Sequence, residues 1–491
     1  MLSLWHVRAQ SVSRRRMRPF GRTQRSSATD GRTALHERSQ YTLTHTIKQH
    51  NRAPCTLEKP AGFPGERYRR NPLEALRKWS AGVSTTRKLA IFLCGISLAS
   101  CARFGTASPL PAQSLDDRAS SSNTAFKLLY SFTGAPSGSG PTGLADFHGL
   151  LYGTTTGGGA KTDGSVFVRG LTGNVREIYS FQGGADGSQP EGSLVALGGV
   201  FYGTTEYGGA HNDGTVFEVS PSGNERVIYS FQGGTDGATP VLAGLVVVGG
   251  ALYGTTNAGG DSSCHYQDIT GCGTVFEVST SGQERVVYRF KGKPDGACPS
   301  GPLTDLAGAL YGTTNYGGTF NNGSVFKVTT GGVETRLYGF KGYPDGAMPY
   351  GGVTAYDGGL YGTTALGGAY DDSGTVFDVS APGTEEVLHS FSGAPDGAVP
   401  YAGLTLDGST FYGTTELGGS SSGACVGRGV VGCGTIFSIT PAGVESVLLR
   451  FGGHTNGSNP WAPLTLGKDV LYGTTLEGGS TDNGTIFELS P

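Results

Sequence analysis

Charged residues are scarce in this 491-residue chain, at 15% of the total, where ordinary soluble domains carry roughly a quarter. Basic residues are scarcest after the first hundred positions. Residues 1–100 hold 19 of the 36 Lys and Arg but only 5 of the 39 Asp and Glu, leaving 17 basic against 34 acidic side chains for the remainder. That balance excludes nucleic acid as a partner, because neutralising phosphates needs a clustered basic surface. Long apolar runs are also missing, and none approaches the roughly 20 residues that cross a bilayer as a helix. Glycine is what abounds: 85 residues without a collagen triplet, gathered before and after short apolar runs. Glycine so placed is turn punctuation between strands.

The chain repeats. Tyr-Gly-Thr-Thr begins at Tyr152 and returns at Tyr202, Tyr253, Tyr311, Tyr361, Tyr412 and Tyr472, with spacings of 50, 51, 58, 50, 51 and 60 residues. A period near 50 belongs to propeller blades rather than helical solenoids. In the second unit, apolar stretches at 192–197 and 200–205 flank Gly198-Gly199, and two further ones at 215–220 and 225–231 flank Pro221-Ser222-Gly223-Asn224. Their β-branched and aromatic content predicts a four-stranded meander buried on both faces.

Two more signatures recur seven times. Val/Ile-Phe in the third strand runs from Val166-Phe167 to Ile486-Phe487, and a Phe ending the fourth strand runs from Phe132 to Phe451. The second series is displaced by one unit: its first copy precedes the first Tyr-Gly-Thr-Thr, while the last unit stops after its third strand. The two ends therefore hold complementary parts of one blade. The expected fold is all-β, a seven-bladed β-propeller of four-stranded antiparallel blades over 125–491, with the N-terminal strand completing the last blade and removing the exposed edge. The alternative is a β-solenoid, which should show capping units.

Taken together, Tyr-Gly-Thr-Thr, Gly-Gly, Gly-Thr-Val-Phe and Tyr-Ser-Phe resemble the GloVer "choice-of-anchor" tandem repeats, a bacterial secreted family with varied surface anchors. The resemblance covers residues 126–491. It implies an exported, anchored protein and brings no catalytic residues.

The N-terminal part suits that address. Residues 1–82 are Arg-rich, aperiodic and interrupted by Pro54, Pro60, Pro64 and Pro72, so they read as disordered and as a gene-start artefact. Residues 83–100 have the layout of a signal peptide: Arg87-Lys88, an apolar core, then Leu98-Ala99-Ser100 before Cys101. This ending resembles the lipobox of bacterial lipoproteins, which makes Cys101 the lipidation site and 101–124 a lipidated tether. The expected partner is a membrane, through that lipid, and the expected location is the cell envelope, with the side of the membrane left open.

Function on a repeat scaffold sits in the longer, more variable loops. Here these follow the second and fourth strands. Both long spacings come from insertions after second strands, each with a cysteine pair, Cys264 with Cys272 and Cys425 with Cys433. In an exported chain these are expected disulfides; a lone pair per loop falls short of a structural zinc set. Cys298 reads as a buried small residue. Between strands four and one, Asp186, Asp236, Asp295, Asp345 and Asp396 precede Gly. They read as turn formers rather than calcium ligands, since one acid per blade cannot supply six to eight oxygens.

After the proline that follows each turn come Thr142, Glu191, Val241, Ser300, Tyr350, Tyr401 and Trp461. Equivalent positions form a ring about the axis, so Tyr350, Tyr401 and Trp461 are expected to line one arc of its mouth, with Glu191 elsewhere around it. These four are the candidate ligand-binding residues, for carbohydrate or an envelope protein. For catalysis, Glu206, Glu416 and Glu477 lie near second-strand ends, and His211, His265 and His454 in rim loops. None forms a recognisable pair or metal motif. No catalytic residue, metal or cofactor is assigned. The functional expectation is a binding or interaction module, with a carbohydrate-active hydrolase or lyase and a structural surface spacer as alternatives. The oligomeric state is not legible.

Overall fold

The computed structural model describes residues 124–491 apart from 171–172, 243, 267–268, 371, 381–382, 420–424 and 426–431. The readings made for 1–82, for 83–100 and for the tether through residue 123, Cys101 included, fall outside the described residues. No helix among those described is long and apolar enough to cross a membrane.

The second blade shows how the sequence forms a unit. Its strands run from the axis outward as Ser188–Leu197, Val200–Tyr207, Thr215–Val219 and Glu225–Ser230, each antiparallel to the last. Six further sheets repeat this order, giving a seven-bladed β-propeller. The ring closes as expected: Ala125–Ser131 pairs with Thr485–Ser490, Ala125 opposite Ser490, and so becomes the outer strand of the seventh blade. Among the described residues the seven blades thus close into a ring rather than an open solenoid.

The recurring signatures are the contacts between blades. At six of the seven junctions the Phe that follows the outer strand meets, edge to face, the third-strand Phe of the next blade; at the remaining one Phe451 and Phe487 are tilted, with ring centroids 5.4 Å apart. Phe181 with Phe217, Phe231 with Phe276, Phe290 with Phe326, Phe340 with Phe377 and Phe391 with Phe437 have ring centroids 5.0–5.1 Å apart. Phe132 with Phe167, at 5.2 Å, repeats the pair across the closing junction. Such pairs add roughly 0.5–1.5 kcal/mol beyond the area they bury.

Tyr-Gly-Thr-Thr is the second strand of every blade, and each residue has a reason. A Cβ on Gly203 would come within 2.6 Å of the Phe217 ring and 2.9 Å of Leu194. The glycine therefore makes room for the blade's own third-strand Phe. The second Thr hydrogen-bonds the first residue of strand three, as in Thr205 with Thr215 at 2.8 Å and Thr364 with Thr375 at 2.7 Å. The first Thr reaches the next blade: Thr313 donates to the Gly351 carbonyl and Thr363 to that of Ala402, each at 2.7 Å.

Candidate functional site

The site is made by the way each inner strand begins. From the third blade on, the chain pairs briefly with the end of the second strand, as Gly237–Ala238 does with Ala258–Gly259, and rejoins the ladder only at Val246–Val248. In the first two blades the inner strand is continuous but shifts register, between Pro141 and Leu144 and between Glu191 and Val195. The residue just before the proline takes a left-handed backbone in all seven blades: Gly140 at φ 62°, and Gln189, Thr239, Cys298, Met348, Val399 and Asn459 with φ between 50° and 57°. This conformation is costly for side chains other than glycine. It is held from both sides by the rim loops. Met348 donates its N–H to the Asn322 carbonyl at 2.9 Å and accepts at its own carbonyl from Ala365 at 3.0 Å. Sequence reasoning missed this feature; the repeated residue-Pro step was its only visible signal.

The strained step turns the following residues toward the axis. A cavity of about 210 Å³ lies there, walled by Tyr350, Tyr401 and Trp461 on one side and by Gly192, Leu194 and Leu242 on another. The three aromatics form one continuous arc. Tyr401 stands between the others, its ring centroid 4.8 Å from that of Tyr350 at 64° and 5.4 Å from that of Trp461 at 79°. Each is half-buried. Small residues around them let the strands converge: a Cβ on Gly351 would lie 2.4 Å from the Gly403 nitrogen. The arc thus rests on backbone packed too closely to move independently.

Glu191 is placed differently. It is 3% exposed and sits opposite Thr204 in the ladder, while the cavity wall in its blade is Gly192, Ser193, Leu194 and Val195. The structure brings the three aromatics together, while Glu191 is buried and does not line the cavity.

The rim loops follow the sequence reading where they are described. Cys264–Cys272 and Cys425–Cys433 are disulfides with Cα separations of 5.6 and 5.5 Å. They close equivalent loops of the third and sixth blades. Cys298 is fully buried and donates its N–H to the Cys272 carbonyl at 2.9 Å. His211, His265 and His454 are exposed, and Glu477 accepts from the Asn459 side chain at 3.1 Å. A second cavity, of about 470 Å³, opens on the opposite rim between the fourth and fifth blades, among Tyr311, Lys327, Tyr356 and Leu360. It lies in the crevice between two packed blades, away from the aromatic arc.

The repeated Asp residues organise the outer turns. Asp236 accepts from the Gln232 N–H at 2.9 Å and the Tyr229 hydroxyl at 2.8 Å; Asp345 does the same with Lys341 at 2.9 Å and Tyr338 at 2.8 Å. Against each such pair leans a glutamate from the next blade's outer strand. Burial, then the charge of the neighbouring Asp, pushes Glu225, Glu284, Glu334 and Glu385 up to about 7. These acids staple one blade to the next.

Three matches of the Gloeobacter/Verrucomicrobia repeat model fall at residues 118–267, 265–426 and 337–491. No curated protein matches the chain. Among solved structures it is similar to a puromycin-hydrolyzing peptidase of Mycobacterium tuberculosis, with 10% identity over 72% of this chain and 52% of that one and a TM-score of 0.44. A gluconolactonase of Xanthomonas campestris matches at 12% identity, covering 75% of this chain and 90% of that one, with a TM-score of 0.37. PorZ, a surface component of the type-IX secretion system of Porphyromonas gingivalis, matches at 13%, covering 74% and 48%, with a TM-score of 0.42. The chain spans about half the length of the peptidase and of PorZ. Likenesses this distant speak to neither activity nor partner. The repeat matches, by contrast, run through the whole propeller, and the chain belongs to the Gloeobacter/Verrucomicrobia repeat family.

Proposed function

We propose that this protein is an exported, lipid-anchored component of the bacterial cell envelope whose propeller binds carbohydrate at the mouth of its axis. The observation that carries the reading is the arc of Tyr350, Tyr401 and Trp461 along a small cavity. Tyrosine and tryptophan offer flat apolar faces with polar tips, which suits the alternating apolar and hydroxyl surfaces of a sugar ring. At about 210 Å³ the cavity is below the roughly 300–1,000 Å³ of drug-sized sites, so it takes a terminal sugar rather than a long chain. The acidic balance after residue 100 disfavours polyanionic glycans by repulsion. The anchor reading rests on Cys101 after Leu98-Ala99-Ser100.

A glycan array probed with the propeller, followed by product analysis of any hit, tests this. Retention of a neutral glycan without turnover is the expected result. New reducing or unsaturated ends would make the protein a hydrolase or lyase instead. No retained glycan, together with capture of an envelope protein at the same rim, would replace the carbohydrate with a protein ligand.

A further inference from the structure

Of the five junctions that carry the Asp, the staple between outer strands changes chemistry at one. Where Tyr179, Tyr229, Tyr288 and Tyr338 donate a hydroxyl to Asp186, Asp236, Asp295 and Asp345, the fifth blade presents His389, whose Nε2 lies 3.2 Å from Asp396 Oδ2. Glu445, which opens the outer strand of the sixth blade, completes the group. One ligand atom of each residue falls within 4.8 Å of the other two. Burial pushes the tyrosines at the other junctions well above their ordinary value, so they remain hydroxyl donors. An imidazole nitrogen, unlike a phenol, is a ready metal ligand in its neutral form.

The carboxylates have unmet demand. Asp396 Oδ2 already accepts from the Ser392 N–H at 3.0 Å and its hydroxyl at 3.2 Å. Asp396 Oδ1 and Glu445 Oε1, in contrast, are buried without a hydrogen-bond donor, an expensive state for a carboxylate oxygen. The same glutamate oxygen is bare at the tyrosine junctions, as is Asp236 Oδ1; what sets this junction apart is the imidazole of His389 in place of a phenol. Arg450, the nearby cation, directs its Nε to the Pro395 carbonyl at 2.8 Å. With side chains 22% and 16% exposed, His389 and Asp396 remain reachable from solvent.

We propose that His389, Asp396 and Glu445 form a binding site for a divalent transition-metal ion of the zinc type, bridging the fifth and sixth blades. One nitrogen and two oxygens suit zinc, which binds both at about 2.0–2.2 Å and takes water in a fourth position. Calcium is disfavoured because it needs six to eight oxygens, and manganese binds such a set more weakly. The sequence alone gave no motif, since the ligands come from two blades and lie 7 and 49 residues apart.

The test is zinc titration of the chelator-stripped full chain by calorimetry. The expected result is one strong site, weakened at least tenfold by His389→Tyr and by Glu445→Gln. His389→Tyr installs the residue used at four other junctions, so its thermal unfolding checks that the staple is kept. Tyr338→His, which places an imidazole beside Asp345 and Glu385, should raise the stoichiometry to two. Wild-type protein that binds no zinc below about 100 µM, His389→Tyr that binds as tightly as wild type, or Tyr338→His that adds no site would each overturn the assignment.

Discussion

The hydroxyl of Thr363 donates to the carbonyl of Ala402, 2.7 Å away across the junction of the fifth and sixth blades. Ala402 directly follows Tyr401, and Thr313 holds the Gly351 carbonyl just after Tyr350 in the same way. The first Thr of Tyr-Gly-Thr-Thr therefore supports the base of the aromatic arc one blade away. Thr363→Val keeps the shape and removes the donor. The expected loss is about 1–3 kcal/mol, the penalty for leaving a buried acceptor unpaired, read from the urea midpoint at unchanged slope. A loss below about 0.5 kcal/mol would contradict this role.

Val399 sits in the left-handed region at φ 56°, where a β-branched residue is a true outlier. Asn459 occupies the equivalent place in the next blade at φ 57°. Val399→Asn is therefore expected to raise Tm by roughly 2 °C, relieved strain outweighing some lost apolar contact. A fall in Tm would show that packing, not backbone strain, governs this position.

The stapling acids make stability depend on pH with a definite sign. Glu225, Glu284, Glu334 and Glu385 are raised from the ordinary value of 4.5 to about 7. Folding therefore favours their protonated forms. Their contribution is full below about 4.5 and is lost as pH rises through about 7. Tm should be several degrees higher at pH 5 than at pH 8, and changing all four to Gln, which stays neutral, should flatten the profile. A wild-type Tm that rises over this interval would contradict the assignment.

Cys101→Ala should abolish incorporation of labelled fatty acid and release the protein from the membrane fraction. Full labelling of the variant would exclude Cys101 as the anchor.

Much of the fold was legible because it repeats. Phe132 and Phe181 stood out as one series, and the displacement of that series against Tyr-Gly-Thr-Thr revealed the closing strand. Tyr350, Tyr401 and Trp461 could be aligned for the same reason. What a residue faces was harder to read: Gly203 gave no hint that its own blade's Phe217 lies over it, and Glu191 shares the alignment of the arc yet does not line the cavity. The left-handed step at Met348 and the trio around His389 escaped notice because backbone conformation and contacts between blades leave no local periodicity.

The most direct measurement uses Trp461, the only tryptophan after Trp79. Titrating a glycan retained on the array into the wild-type chain, with Trp461→Phe as the reference, isolates the emission of that indole. The expected result is a saturable change that disappears, together with binding, when Tyr350, Tyr401 and Trp461 are all replaced by Ala. Binding that leaves Trp461 emission unchanged and survives the triple replacement would place the ligand elsewhere and contradict the axial site.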